Sequence, residues 1–394
     1  MIKAEDFLRP LILMGYTFFT GVPCSFLKPV INYVIQSDDL DYIIASSEGE
    51  AVGIAAGAYL TGEKTVVMCQ NSGLGNMINP LTSLNYPFKI PFLLIITLRG
   101  EPGINDEPQH ELMGRITGKL LSTIGIQWKF FPDQAHKVVA ELNEAKQLME
   151  ELSLPFAFIM RKGAVDTYPL TVKPKQSRLN ENAEIFGKFA CNKDKRMSRI
   201  DAIKVISEGI SSDDAVVATT GKIGRELFST GDKENQIYIV GSMGCASGIG
   251  FGVQITRSQR TVIVLDGDGA ALMKMGAFAT IGYYMPAKFI HIILDNGAYE
   301  STGGQATTSN GTDFSSVAAG CGYRKCWRVD NYKLLKQAIL EAKKSRGPIL
   351  IHVKVAIREV LNLPRPDLRP VEVKRRFMKF LADTGQLADI SHFA

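Results

Sequence analysis

No apolar run in the sequence is long enough to cross a membrane. The longest, such as Pro91-Phe-Leu-Leu-Ile-Ile96, are strand-length, well short of the roughly 18 residues that a spanning helix needs. There is little net charge. The excess of +5 is spread along the chain, which gives no reason to expect nucleic acid and does not oppose an anionic substrate. The six cysteines, at 24, 69, 191, 245, 321 and 326, lack metal-ligand spacing and read as small, buried, reduced hydrophobes. Glu5 and Asp6 stand where a cleavable leader would need apolar residues, so none is expected. There is no Gly-x4-Gly-Lys-Ser/Thr loop, and Gly241-Ser-Met-Gly244 has the wrong spacing for a dinucleotide fingerprint. The expectation is a soluble, cytoplasmic protein.

What is there points to two α/β domains. The 394 residues are 45% hydrophobic, enough for two full cores. In the first half, helical patterns over 5–13, 48–60, 112–123 and 133–151 alternate with strand-like runs at 42–45, 65–69, 91–97 and 155–160. In the second, helices over 199–210 and 331–344 alternate with runs at 215–219, 236–240, 261–266, 289–295 and 348–353. Such alternation predicts mainly parallel sheets covered by helices. The expected domains are 1–170 and 199–370. Residues 171–198 predict a surface connection, either with a short helix around 184–189 or without regular structure. Residues 371–394 predict a tail packed over a domain surface and mobile at its end.

The most informative stretch is Asp266-Gly-Asp-Gly269, followed after 25 intervening residues by Asp295-Asn-Gly297. Each ends a strand-like run, and a helix-length segment, 270–284, lies between. Two adjacent parallel strands joined by one crossover helix bring Asp268 and Asn296 together at the carboxyl ends, where open α/β sheets bind ligands. A carboxylate and an amide oxygen there suit a hard cation such as Mg2+, which can hold a diphosphate. Gly269 and Ala270 can offer backbone N–H groups to phosphate. Glu48 and Glu50 read as acids at a helix start, Glu50 the better fit. Residues 299–310 read as a mobile cover. His110, in the loop Asp106-Glu-Pro-Gln-His110 after a predicted strand, suits proton transfer.

With these residues the chain resembles the thiamine-diphosphate-dependent 2-oxo acid decarboxylases. Further matching pieces are Ser46-Ser-Glu-Gly-Glu-Ala51, Gly241-Ser-Met-Gly244, Thr20-Gly-Val-Pro-Cys-Ser-Phe26, Gln70-Asn-Ser-Gly-Leu-Gly-Asn76 and Asn296-Gly-Ala-Tyr-Glu-Ser301. They span nearly the full length and point to the phosphonopyruvate decarboxylase family. The resemblance implies two three-layer domains of the thiamine-diphosphate-binding type, 1–170 for the pyrimidine and 199–370 for the diphosphate. It implies Mg2+ on Asp268, Asn296 and the carbonyl of Ala298. Thiamine diphosphate would then lie against Gly241, Ser242, Met243, Gly267, Asp268, Gly269, Ala270 and Asn296. Met243 would be a wedge beneath it, and Glu48 would face the pyrimidine N1'. Two departures stand out: Asp295 replaces a usual Asn, and Tyr299 replaces a common His.

The implied activity is non-oxidative decarboxylation of 3-phosphonopyruvate to phosphonoacetaldehyde and CO2, within phosphonate biosynthesis. His110 is the leading proton donor, with Asp106 orienting or protonating. Ser25, Asn71, Ser72, Arg99 and Lys222 are candidate contacts to the small-molecule substrate's phosphonate, with Arg225 a weaker one. The resemblance also implies at least a homodimer, with Glu48 and Asp268 of one site coming from different chains. Sulfopyruvate or another 2-oxo acid remains an alternative substrate, and a catalytically inactive cofactor-binding regulatory protein a non-enzyme alternative.

Overall fold

The computed structural model describes residues 1–172, 183–358 and 362–383. The chain divides into two compact units, Met1–Ser177 and Arg178–Ala394. The first is built on six strands: β1 (Tyr16–Gly21), β2 (Asp41–Ile44), β3 (Lys64–Gln70), β4 (Leu93–Thr97), β5 (Gln127–Phe130) and β6 (Phe156–Met160). They pair in the order β2-β1-β3-β4-β6-β5, every pair parallel. All five residues of β4 are buried. Such continuous burial is what a parallel strand sandwiched between helices requires, and it is why the segment reads as an unbroken apolar run.

The helix Glu48–Leu60 follows the same logic. Its Ala- and Gly-rich face is buried all round, the mark of a helix inside a core. The Ser47 side chain caps it, accepting from the Glu50 N–H.

In the second unit, seven strands take part in one sheet: β7 (Glu184–Gly187), β8 (Ala215–Ala218), β9 (Gln236–Tyr238), β10 (Val262–Gly267), β11 (Phe289–Asp295), β14 (Lys325–Val329) and β15 (Ile349–Lys354). Their order is β7-β14-β15-β11-β10-β8-β9, again all parallel. A small antiparallel hairpin, β12 (Ala298–Tyr299) with β13 (Gln305–Ala306), stands apart. From β8 the chain runs first to β9 on one side and then to β10 on the other. That reversal opens a crevice at the carboxyl ends of β8 and β10. In the first unit the same reversal occurs at β1, between β2 and β3.

Three expectations need correction. Residues 184–187 form a strand, not a short helix. Phe186 stacks on Trp327 of β14, with ring centroids 4.8 Å apart, and this cross-strand packing outweighs the local pattern. The segment after β10 is two helices, Asp268–Met273 and Gly276–Tyr284. The stretch 299–310 is not wholly a cover: Thr307 and Ser309 are buried, while 301–306 are exposed. Part of the expected connection, 173–182, and the expected mobile end, 384–394, lie outside the described residues. The helix Pro370–Ala382 buries Val373, Phe377 and Leu381. Among the described residues no helix is long and apolar enough to cross a membrane.

Candidate active site

Strands β10 and β11 run in register, with Gly267 opposite Leu294, so Asp268 and Asn296 leave neighbouring strand ends. Asp268 opens its helix and is only 4% exposed. Thr307 donates its hydroxyl to Asp268 Oδ2. The Ser309 hydroxyl sits between Asp268 Oδ2 at 3.0 Å and Asp295 Oδ1 at 2.8 Å. Burial, reinforced by the Asp295 charge, holds the Asp268 carboxyl above its usual range despite these hydroxyls. No cation pairs with Asp268 among the described residues. Asp295 behaves oppositely. Burial opposes its ionisation, but His352 Nε2 at 2.7 Å and Lys354 Nζ at 2.5 Å bring it down to about 2.

Asn296 donates through Nδ2 to Glu300 Oε2 at 3.1 Å. Its Oδ1 accepts from the Ala298 N–H at 3.0 Å and retains a second lone pair. Glu300 in turn accepts from Arg199 at 2.6 Å and Lys222 at 2.7 Å, and Arg199 grips Glu226 through two bonds. Burial opposes the Glu300 charge, but Lys222 and Arg199 hold its carboxyl below the usual range.

The loop 241–244 closes over the same strand ends. The Gly241 N–H donates to Thr220 Oγ1 at 3.1 Å, and Gly241 and Ser242 both have positive φ. Met243 and Tyr299 lie over Gly269. A Cβ added there would meet Tyr299 Cε1 at 2.5 Å and Met243 Cε at 3.0 Å, so only glycine allows this close approach. Met243, Gly269, Asp268, Asn296 and Ala298 thus gather at one place in the second unit. Among the described residues no three His, Cys, Asp or Glu side chains are placed to hold a metal. The available set is one carboxylate, one amide oxygen and one backbone carbonyl.

In the first unit the predicted residues sit beyond the carboxyl ends of β1 to β4. Glu48 is half-buried and accepts from Asn76 Nδ2 at 2.8 Å. Glu50 turns away, accepting from the Ser46 N–H at 2.8 Å and from the Ser46 hydroxyl. Ser25 and Ser72 are exposed. His110 is 7% exposed, with Nδ1 buried and unpartnered.

Several polar candidates are already engaged. Asn71 is fully buried, its amide donating to the Arg99 carbonyl at 2.8 Å and to Thr117 at 3.1 Å. It braces the loop, and both side-chain N–H groups are engaged there. Asp106 accepts from Arg99 Nε at 2.7 Å, Arg99 Nη2, and the Gly100 and Glu107 N–H groups. The Arg99 bonds above all hold its carboxyl well below the usual range, which unsuits it to donate a proton at neutral pH. Lys222 is tied to Glu300, and Arg225 to the carbonyls of Leu363 and Pro364.

The sequence reading missed Thr307, Ser309, Glu300 and Arg199. His291 and His352, likewise not singled out from the sequence, are buried against the strand-end acids Asp266 and Asp295. Their polarity inside otherwise apolar strands was the available signal.

Comparison with known proteins bears on these elements. Residues 3–119 match the family model of the thiamine pyrophosphate enzyme N-terminal TPP binding domain, and 223–353 that of the C-terminal TPP binding domain. The chain is 40% identical over 383 residues to a phosphonopyruvate decarboxylase of Streptomyces viridochromogenes, covering 97% of this chain and 95% of that one. It is 30% identical over 371 residues to a sulfopyruvate decarboxylase of Methanosarcina acetivorans, covering 93% and 94%. The solved structure of a Rhodococcus jostii RHA1 thiamine diphosphate-dependent 4-hydroxybenzoylformate decarboxylase shares the fold. Its TM-score is 0.72 at 15% identity, over 91% of this chain and 100% of that one.

Proposed function

The chain belongs to the thiamine pyrophosphate enzymes, and on that premise we propose that it decarboxylates phosphonopyruvate to phosphonoacetaldehyde and CO2, a step of phosphonate biosynthesis. The observation that carries this reading is the 40% identity over 97% of the chain to a protein of that name, against 30% to a sulfopyruvate decarboxylase. Phosphonopyruvate loses its C1 carboxylate as CO2, and the electron pair left on C2 takes up a proton to give the aldehyde.

The second unit fits a hard cation. Asp268 is a buried carboxylate without a cationic partner among the described residues, and Asn296 supplies an amide oxygen beside it. Asp268, Asn296 and the Ala298 carbonyl would hold Mg2+ and, through it, a diphosphate. Gly267, Gly269 and Ala270 would offer backbone to the phosphates, and Gly241, Ser242 and Met243 would line the rings. When bound, thiamine diphosphate supplies the electron sink for the pair left by departing CO2.

This chain's own residues manage binding and protons. Glu48 would hold and move the proton at the pyrimidine N1' atom. His110, buried with an unpartnered Nδ1, is the proposed donor to the substrate carbon. Asp106 fits the orienting role, since it locks the Arg99 guanidinium. Ser25, Ser72, Arg99 and Lys222 are the proposed phosphonate contacts, and Lys222 would leave Glu300 to reach one. The proposed assembly is a homo-oligomer, at least a dimer, with active sites between chains.

The test is CO2 release by the purified chain with Mg2+ and thiamine diphosphate, comparing phosphonopyruvate, sulfopyruvate and pyruvate. Release selective for phosphonopyruvate is expected. Preference for sulfopyruvate would move the substrate assignment, and no release from any of the three with cofactor bound would overturn it.

A further inference from the structure

The first unit holds Glu48 from two sides. Glu48 opens the helix Glu48–Leu60, and Asn76 lies in the helix Leu74–Pro80 packed against it. Asn76 Nδ2 donates to Glu48 Oε2 at 2.8 Å. On the other side, the carboxyl lies on the bare backbone of Gly73. A Cβ added to Gly73 would stand 2.2 Å from Oε1, 2.5 Å from Cδ and 2.6 Å from Cγ, inside any allowed contact. The neighbouring acid Glu50 does not compete, since it is buried and committed to Ser46.

We propose that Asn76 is a positioning residue that assigns different tasks to the two Glu48 oxygens. This rests on the reading that Glu48 moves a proton at the cofactor ring. An ionised carboxylate can only accept, so the amide presents its N–H to Oε2. That N–H occupies Oε2 as an acceptor in both protonation states, and the mobile proton therefore resides on Oε1. Gly73 leaves the room that this orientation needs. In its absence the carboxyl would rotate, the proton would be shared between two oxygens, and only one of them faces the ring at a time.

The prediction separates binding from proton movement. With Asn76→Ala, exchange of the thiazolium C2 proton should slow roughly 10- to 100-fold, the range for one lost hydrogen bond to a charged group. Asn76→Asp should be slower still, because a second carboxyl competes for the same proton. Cofactor affinity, measured by fluorescence titration with Mg2+ and thiamine diphosphate, should change little in both. The near-ultraviolet circular dichroism bands of the bound aminopyrimidine should move toward the amino tautomer. Asn76 is exposed, so truncating it leaves the core intact, and Gly73→Ala should reproduce the signature from the other side.

Glu48→Gln separates the two ideas. Slow exchange in Glu48→Gln with wild-type exchange in Asn76→Ala would overturn the role of Asn76 alone. Equal losses of exchange and of affinity in Asn76→Ala would also overturn it, as a merely structural effect. Wild-type exchange in Glu48→Gln would sink the reading on which it rests.

Discussion

At the scale of single residues, the two candidate acids of the second unit divide the work by their neighbours. Among the described residues Asp268 has hydroxyls and no cation, whereas Asp295 has His352 and Lys354. Thr307→Val removes one donor to Asp268 and should weaken Mg2+-dependent cofactor retention ~10-fold or more, as for other groups that orient metal ligands. Dialysis of the loaded protein at graded Mg2+ would check this, and unchanged retention would count against the Asp268 assignment. Glu48→Gln should slow CO2 release by at least ~100-fold, the lower range for a lost proton-transfer group, with the cofactor still bound. Asp106 carries a pH signature. Its carboxyl is depressed in the folded state, mainly by Arg99. Its contribution is therefore fully present above the unfolded carboxylate pKa of about 4, and it is lost progressively as pH falls from there through the lower folded value. Asp106→Asn should thus cost stability near neutral pH and flatten the acid limb of a plot of urea midpoint against pH. The geometry of the candidate site was only partly legible. Asp268 and Asn296 were readable because their spacing is local to one β-α-β unit. Thr307 and Ser309 were not, because a hydroxyl in a polar loop has no pattern until the fold brings it under a carboxylate.

At the scale of elements, legibility followed long apolar runs: β1, buried at five of its six positions, was not expected because Tyr, Thr and Gly break its run. Strands β3, β4, β6, β10, β11 and β15 are buried along most of their lengths and carry apolar runs, and they could be read within a residue or two. Strand β7 could not: three of its four residues are exposed, and it exists because β14 offers an edge with Trp327 on it. The helix Asp268–Met273 was merged with its successor because nothing local signals the break. The C-terminal helix Pro370–Ala382 makes a prediction at this scale. Phe377 is fully buried, and Arg376 pairs with Asp232. Phe377→Ala should cost about 3–5 kcal/mol and lower the urea midpoint, whereas Arg376→Ala, a partly exposed pair, should cost much less.

At the scale of the whole molecule, the proposed assembly can be tested without a structure of it. If each site takes Glu48 from one chain and Asp268 from another, two inactive variants should complement. In a dimer, an equal mixture of Glu48→Gln and Asp268→Ala chains places both lesions in one site of each mixed dimer and leaves its other site intact. About a quarter of all sites should then recover, by the statistics of a two-fold assembly. Co-expression followed by assay would show this, and no recovery, with mixed dimers demonstrated by mass, would count against shared sites. Removing Mg2+ with a chelator should lower the melting temperature of the loaded protein to that of the apoprotein, since a ligand that binds only the native state stabilises it by mass action. The bare backbone at Gly73 carries a different sort of consequence. Every single-base change in a glycine codon that alters the residue adds at least a methyl group, and a methyl at Gly73 would overlap the Glu48 carboxyl where it now sits. Drift at this codon therefore has no silent first step: replacing Gly73 pushes the Glu48 carboxyl from its seat, and a lineage that did so would carry slower proton movement until a second change re-seated the acid.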